Sequence, residues 1–175
     1  MTRFLFSKFA VLCIALTLYL PTMAQFSGAK LNVVGLTCSA CSYATERSIR
    51  QLKFVQDVKM DLNSNIAEIT FKPGEPVSID QLVLKVYDAG FSVGKVTATY
   101  HFTNEVLTGK SWSAGSDTFM ILGTDAVELK GDKQLVFVAD KYMKKSEYKP
   151  YKAYINTETS QSKPNPSGRL YFVVM

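Results

Sequence analysis

Histidine and tryptophan each occur once in this 175-residue sequence, and cysteine three times. The lone His101 has no motif around it, so no Ser-His-Asp arrangement is supportable. No glycine-rich loop suited to cradling phosphate appears. No catalytic residue is assigned, and the sequence is not read as an enzyme. A closed structural zinc site needs four ligands, and only one CxxC pair exists. Charge of one sign is also scarce. Twenty basic residues face fifteen acidic ones, a net +5, which is too mild to indicate a nucleic-acid partner. With an apolar share of 47%, the composition is that of a globular chain and excludes disorder.

What is present begins with a targeting pattern. Arg3 and Lys8 precede a short apolar run, "FAVLCIALTLYL", and Thr22-Met23-Ala24 supplies small residues before Gln25. This predicts a signal peptide over residues 1–24, hence export, most naturally to a periplasm. The run is short for a membrane span of about 20 apolar residues, and an uncleaved N-terminal anchor is the alternative. Cys13 lies inside the run. Leu12 before it is too large for lipoprotein processing, so Cys13 is expected to leave with the signal. Without Arg3 and Lys8 the basic residues number 18 against 15 acidic ones, a net charge of about +3.

From residue 29 onward the periodicity is regular. "KLNVVG" reads as a strand ending at Gly35, and "CSYATERSIRQLK" as a moderately amphipathic helix with Ala44, Ile49 and Leu52 near one face. "FVQDVKMDL" and "IAEITFK" alternate as strands around the turn cluster Asn63-Ser64-Asn65. Ser78 is placed to cap a second helix that carries Ile79, Leu82, Val83 and Val86 on one face and ends at Gly90. "FSVGKVTATYHF" is a further strand, expected to bend or bulge at Gly94. The order βαββαβ predicts a ferredoxin-like α+β domain over residues 29–98. Residues 99–175 offer the strands "DTFMILG", "QLVFVAD", "KAYIN" and "RLYFVVM" between turn-rich stretches, with no convincing long amphipathic helix. They are expected to form a small all-β, barrel-like domain.

The chemistry sits in "GLTCSAC". Exported cysteines commonly pair, and without Cys13 the only partners are Cys38 and Cys41. A bond between them closes a very short loop and stabilises little by the chain-entropy argument, so three uses stand side by side: a staple, a redox pair and a metal site. The pair stands between a strand and a helix, where unpaired N–H groups and the helix dipole favour anions and lower thiol pKa values. Two soft thiolates on a loop match a thiophilic, two-coordinate ion such as Cu(I), with Hg(II) or Zn(II) as alternatives. Thioredoxin-like redox chemistry uses the same spacing, though Ser39-Ala40 is not its usual filling.

"GLTCSAC" resembles the GMTCxxC motif of heavy-metal-associated domains, found in copper chaperones, copper-transporting P-type ATPases and the periplasmic mercury-binding protein. Glu46, Ile49 and Leu52, the hairpin segments "FVQDVKMDL" and "AEITF", and "IDQLVLKVYDAGF" extend the similarity across about 70 residues. The resemblance implies that Cys38 and Cys41 are metal ligands, that Gly35 and Thr37 shape the loop and that Phe91 faces the metal. Leu36 stands where that family has Met, as an apolar anchor beneath the loop. Ser42 and Thr45 occupy positions that are commonly apolar there. The implied role is metal transport or chaperoning, the partner being a metal-transporting membrane protein or another metal-binding protein. A thiol–disulfide redox protein is the alternative. Residues 99–175 lie outside the resemblance and are read as a possible effector half. Met120, Met143 and Met175 are read as core filling, Trp112 as core or interface, His101 as a strand residue near the junction, and the basic stretch 141–152 as a solvated loop or strand edge.

Overall fold

The computed structural model describes residues 26–107, 110–123, 128–161 and 168–175; the expected signal segment, with Cys13, lies outside the described residues. Among the described residues no helix is long and apolar enough to cross a membrane. Strand β1 (Phe26–Val34) leads into α1 (Ser39–Arg50). The hairpin of β2 (Val55–Asp61) and β3 (Ile66–Phe71) follows, then α2 (Ile79–Asp88) and β4 (Ser92–Val106). The strands stand in the order β2-β3-β1-β4, each antiparallel to its neighbours. That arrangement is the ferredoxin-like βαββαβ fold, with α1 and α2 as its crossovers.

Alternation decides which side of this sheet is dry. Leu31, Val33, Val58, Ala67, Ile69, Val96 and Ala98 are buried, together with Ile79, Leu82, Val83 and Val86 of α2. The opposite face carries exposed pairs such as Lys30 and Glu68, 2.7 Å apart. In α1 the inner positions differ from expectation. Ile49 and Leu52 are buried, but Ala44 is exposed and Ser42 and Thr45 take the places one and two turns before Ile49. Their hydroxyls are satisfied locally: Ser42 Oγ donates to the Cys38 carbonyl (3.4 Å) and Thr45 Oγ1 to the Cys41 carbonyl (3.1 Å). A polar side chain that bonds back to residue i−4 can sit inside without an unpaired group. At Gly94 the β1–β4 register jumps from Asn32–Lys95 to Val33–Val93, the bulge expected there.

The second half adds β5 (Ser111–Ala114), β6 (Asp117–Ile121), β7 (Glu128–Phe137), α3 (Lys145–Gln161) and β8 (Leu170–Val174). The boundary expected at residues 98/99 falls inside β4, which β7 follows from Thr97–Val136 to Val106–Glu128. One sheet continues as β4-β7-β8-β6-β5, antiparallel except between β6 and β8. Trp112 on β5 touches Tyr100 and Phe102 on β4, ring centroids 5.8 and 5.2 Å apart. A flat sheet would hold those strands roughly 19 Å apart at about 4.8 Å per strand. The sheet is therefore rolled around Tyr100, Phe102, Trp112, Phe119, Phe137 and Tyr171.

Two local readings of this half require correction. The turn-rich stretches expected between the strands include β5 (in "SWSAGSD") and the middle of β7 ("LKGDKQ"), and "KAYIN" belongs to helix α3 rather than to a strand, so this half is not all-β. Pro150 lies within that helix and its tyrosines favour strands, which hid the apolar stripe Tyr148, Tyr151 and Ile155. That stripe packs on Met120, Val138, Met143 and Phe172. Strand β8 is thus buried on both faces, by the aromatic core and by α3, and this is why "LYFVV" is apolar throughout. Met120, Met143 and Trp112 are core residues as expected, whereas Met175 is exposed. His101 is an exposed strand residue paired with Asp132 at 2.7 Å.

A polar network joins the halves at the start of α2. Asp80 meets the Tyr142 hydroxyl, Lys141 Nζ (2.7 Å) and the Tyr171 hydroxyl (3.3 Å). Arg169 grips Asp117 with Nε and Nη2 (3.2 and 2.9 Å) and donates to Ser78 Oγ (2.7 Å). Burial alone would raise the Asp80 pKa, but the hydrogen bonds from Lys141 and Tyr142 and the charges of Lys141 and Arg169 hold it below the ordinary carboxylate value. A depressed carboxylate contributes stability above its unfolded pKa and loses it as pH falls through the folded one. The stability difference between wild type and Asp80→Asn is expected to be about 1–3 kcal/mol near neutrality and to shrink below pH ~4 in urea titrations. Phe137→Ala removes a fully buried ring and is expected to cost about 3–5 kcal/mol. Because both halves share one core, fluorescence of the single tryptophan and far-UV circular dichroism are expected to report one coincident unfolding transition.

Candidate functional site

The loop between β1 and α1 is shaped by three local constraints. Gly35 turns the chain with φ +98°, a region that side-chain-bearing residues rarely enter. Leu36 is buried, 8% exposed, and anchors the loop in the core. Cys38 is the N-cap of α1, extended at φ −151° and ψ 159°, and its Sγ accepts the Cys41 backbone N–H at 3.3 Å. A sulfur therefore fills the capping role that Ser, Thr, Asp or Asn usually takes.

The sequence-predicted residues converge here. Cys38 and Cys41 stand with Cα atoms 5.3 Å apart and are joined as a disulfide. Cys38 and Thr37 are exposed, while Cys41 is half-buried against the core. The Phe91 ring lies over the loop, such that a methyl group on Gly35 would meet its Cδ1 at 3.6 Å. Phe91 is set there by the end of α2. Gly90 adopts φ +89°, its N–H donates to the Tyr87 carbonyl (2.8 Å), and the Phe91 N–H donates to the Val86 carbonyl (3.1 Å), the paired bonds of a Schellman cap. His101, Met120 and Met143 belong to strand and core positions rather than to this loop.

Two features here were not read from the sequence. The β2–β3 turn is fastened beside the loop, since Val33 N–H donates to the Asn65 carbonyl (2.8 Å) and Asn32 Nδ2 to the Ser64 carbonyl (3.4 Å). Leu62 and Asn65 consequently line a shallow cleft with Leu36, Thr37, Cys38 and Ser42. The cluster Asn63-Ser64-Asn65 signals a turn, but its position is a tertiary fact. The second feature is how the charges of α1 pair, which keeps open the anion-favouring helix start expected from the sequence. Its first turn has no acidic side chain and its last turn carries Arg47 and Arg50. Glu46 and Asp57 bind Arg50, each at 2.8 Å. The positive end of the helix is thus open toward the two sulfurs, which suits thiolates when the pair is reduced. Among the described residues no group of three or more His, Cys, Asp or Glu side chains is placed to hold a metal ion.

The family profile of the heavy-metal-associated domain matches residues 30–92. The mercuric transport protein periplasmic component of Serratia marcescens is 31% identical over 83 residues, 47% of this chain and 89% of that protein. The chain belongs to the heavy-metal-associated domain family. A probable copper-transporting ATPase of Arabidopsis thaliana is 34% identical over 70 residues, 40% of this chain, and the chain spans only 7% of that ATPase's length. The solved yeast copper transporter domain CCC2A, studied in apo and Cu(I)-loaded states, is 31% identical, covering 37% of this chain and 86% of that one with a TM-score of 0.34. The heavy-metal-associated domain accounts for β1 to the start of β4, and the rolled half lies beyond the match. Gly35→Ala is expected to destabilise the domain by ~1–3 kcal/mol through its positive φ, read as a lowered urea midpoint with an unchanged slope.

Proposed function

We propose that this is an exported heavy-metal-binding protein that carries Cu(I), or another thiophilic ion such as Hg(II) or Zn(II), between Cys38 and Cys41. The observation that carries the reading is the placement of both sulfurs at the solvent-facing, positive end of α1, on a loop anchored by Leu36. Relatives named for copper and mercuric transport support the same cargo class. Gly35, Leu36, Thr37 and Phe91 hold the loop, and the metal is cargo. Two soft donors leave coordination positions open, so a partner's thiolates can enter as Cys38 or Cys41 leaves. Such a partner is a metal-transporting membrane protein or another metal-binding protein, met in the periplasm after removal of residues 1–24. The division into a metal domain over residues 29–98 and an effector half over 99–175 belongs to the same proposal.

The disulfide between the two cysteines favours a second reading, in which the pair shuttles between dithiol and disulfide on other proteins. Anaerobic titration of the reduced protein separates the two. The expected result is about one Cu(I) per chain by mass spectrometry, none in Cys38→Ser/Cys41→Ser, and none in the oxidised wild type until it is reduced. Unchanged copper binding in the double variant overturns the metal reading. Disulfide reductase activity of the metal-free protein, inhibited by Cu(I), establishes the redox reading in its place.

A further inference from the structure

A four-residue strap from the second half, residues 141–144, crosses α2 and the start of β4 on either side of Phe91. At the N-terminal end of α2 it is held by Lys141 Nζ on Asp80 (2.7 Å) and by the Tyr142 hydroxyl on the same carboxylate. At the C-terminal end of α2 the Tyr87 hydroxyl donates to the Lys141 carbonyl (3.5 Å). Just beyond Phe91, Lys144 N–H donates to the Gly94 carbonyl (3.2 Å), and Met143 forms a β-bridge with Lys95. Tyr87 is also the residue whose carbonyl accepts the Gly90 N–H (2.8 Å) in the cap that orients Phe91. The segment Tyr87–Gly94 is therefore tied at both ends to the rolled half, and the ring in its middle lies beside the cysteine loop, where it would meet a Cβ on Gly35 at 3.6 Å.

We propose that Tyr87 and Tyr142 are positioning residues for the cysteine site: through the strap they hold Phe91 against Gly35, so that the appended half governs how readily the Cys38–Cys41 loop opens. The inference rests on the carrier reading for its consequence, faster or slower release of Cu(I), but its geometry concerns the loop alone. Tyr87 is exposed, and among the described residues its hydroxyl donates to the strap; a phenylalanine there retains the ring. Tyr142→Phe likewise keeps the buried ring that packs on Phe137 at 5.8 Å. The two substitutions loosen the strap without emptying the core.

The test uses the reduced full chain and two readouts: alkylation of the cysteine thiols by iodoacetamide in metal-free protein, and transfer of Cu(I) to a chelator. Tyr87→Phe/Tyr142→Phe is expected to raise both rates by at least about threefold, within the range by which residues along a coupled path change a distant site. Leu129→Ala, a core truncation at the far end of β7, destabilises the fold without touching the strap and is expected to leave both rates at the wild-type value. In a Phe91→Ala background the tyrosine pair is expected to change alkylation by less than about twofold, because the group they act through is gone. Unchanged rates in the tyrosine pair, or the same acceleration with and without Phe91, overturns the inference. If the alkylation pattern appears while the wild type binds no Cu(I), the positioning role stands and the carrier reading fails.

Discussion

Strand β4 is bonded along its length, to β1 on one side and to β7 on the other. Its even-numbered residues from Val96 to Phe102 are all fully buried, first under the helices of the metal domain and then within the rolled aromatic core. A strand used in this way makes the two halves energetically inseparable along that edge, since withdrawing β7 would leave unpaired backbone groups and expose apolar surface. Phe26, at the start of β1, completes the join by packing on Tyr100 at 4.9 Å and Phe119 at 5.6 Å. The ferredoxin-like unit here is thus the covered end of a larger sheet.

Much of this was legible in the sequence where one period dominated. Alternation in "IAEITFK" and the 3.6-residue period in "IDQLVLKV" place Ala67, Ile69, Phe71, Leu82, Val83 and Val86 inside, because a half-buried strand and a one-faced helix each leave a simple pattern. The cysteine loop was legible for a different reason: Gly35 ends a strand, Gly90 ends a helix, and the family resemblance assigns Leu36, Cys38 and Cys41 their places, whereas the capping role of Cys38 emerges only from the structure. What escaped was set by tertiary context. Helix α3 contains Pro150 and a stripe of tyrosines, so propensity pointed elsewhere and packing on β6 and β8 decided the outcome. Ser42 and Thr45 stand at positions the family commonly fills with apolar residues, and only their bonds to the two cysteine carbonyls show how polar groups are accommodated there. The network around Asp80 draws on Lys141, Tyr142, Arg169 and Tyr171, and no local rule brings those positions together.

The cysteine pair contributes little to this architecture, and that bears on what it can do. A bond closing four residues is worth only about 2 kcal/mol in the chain-entropy account, against about 3 for a 15-residue loop. The loop has other supports, because Gly35 fixes the turn, Leu36 anchors the floor and the Cys38 sulfur caps the first turn of α1 by accepting the Cys41 N–H. A thiolate is also a better acceptor for the Cys41 N–H than a disulfide sulfur, since hydrogen bonds to charged acceptors are the stronger ones. The reduced pair is therefore supported by the same backbone that supports the oxidised pair. A loop fixed by groups other than its two sulfurs does not depend on the bond between them, and its stiffness comes from the groups around it: Leu36 beneath it and Phe91 beside it.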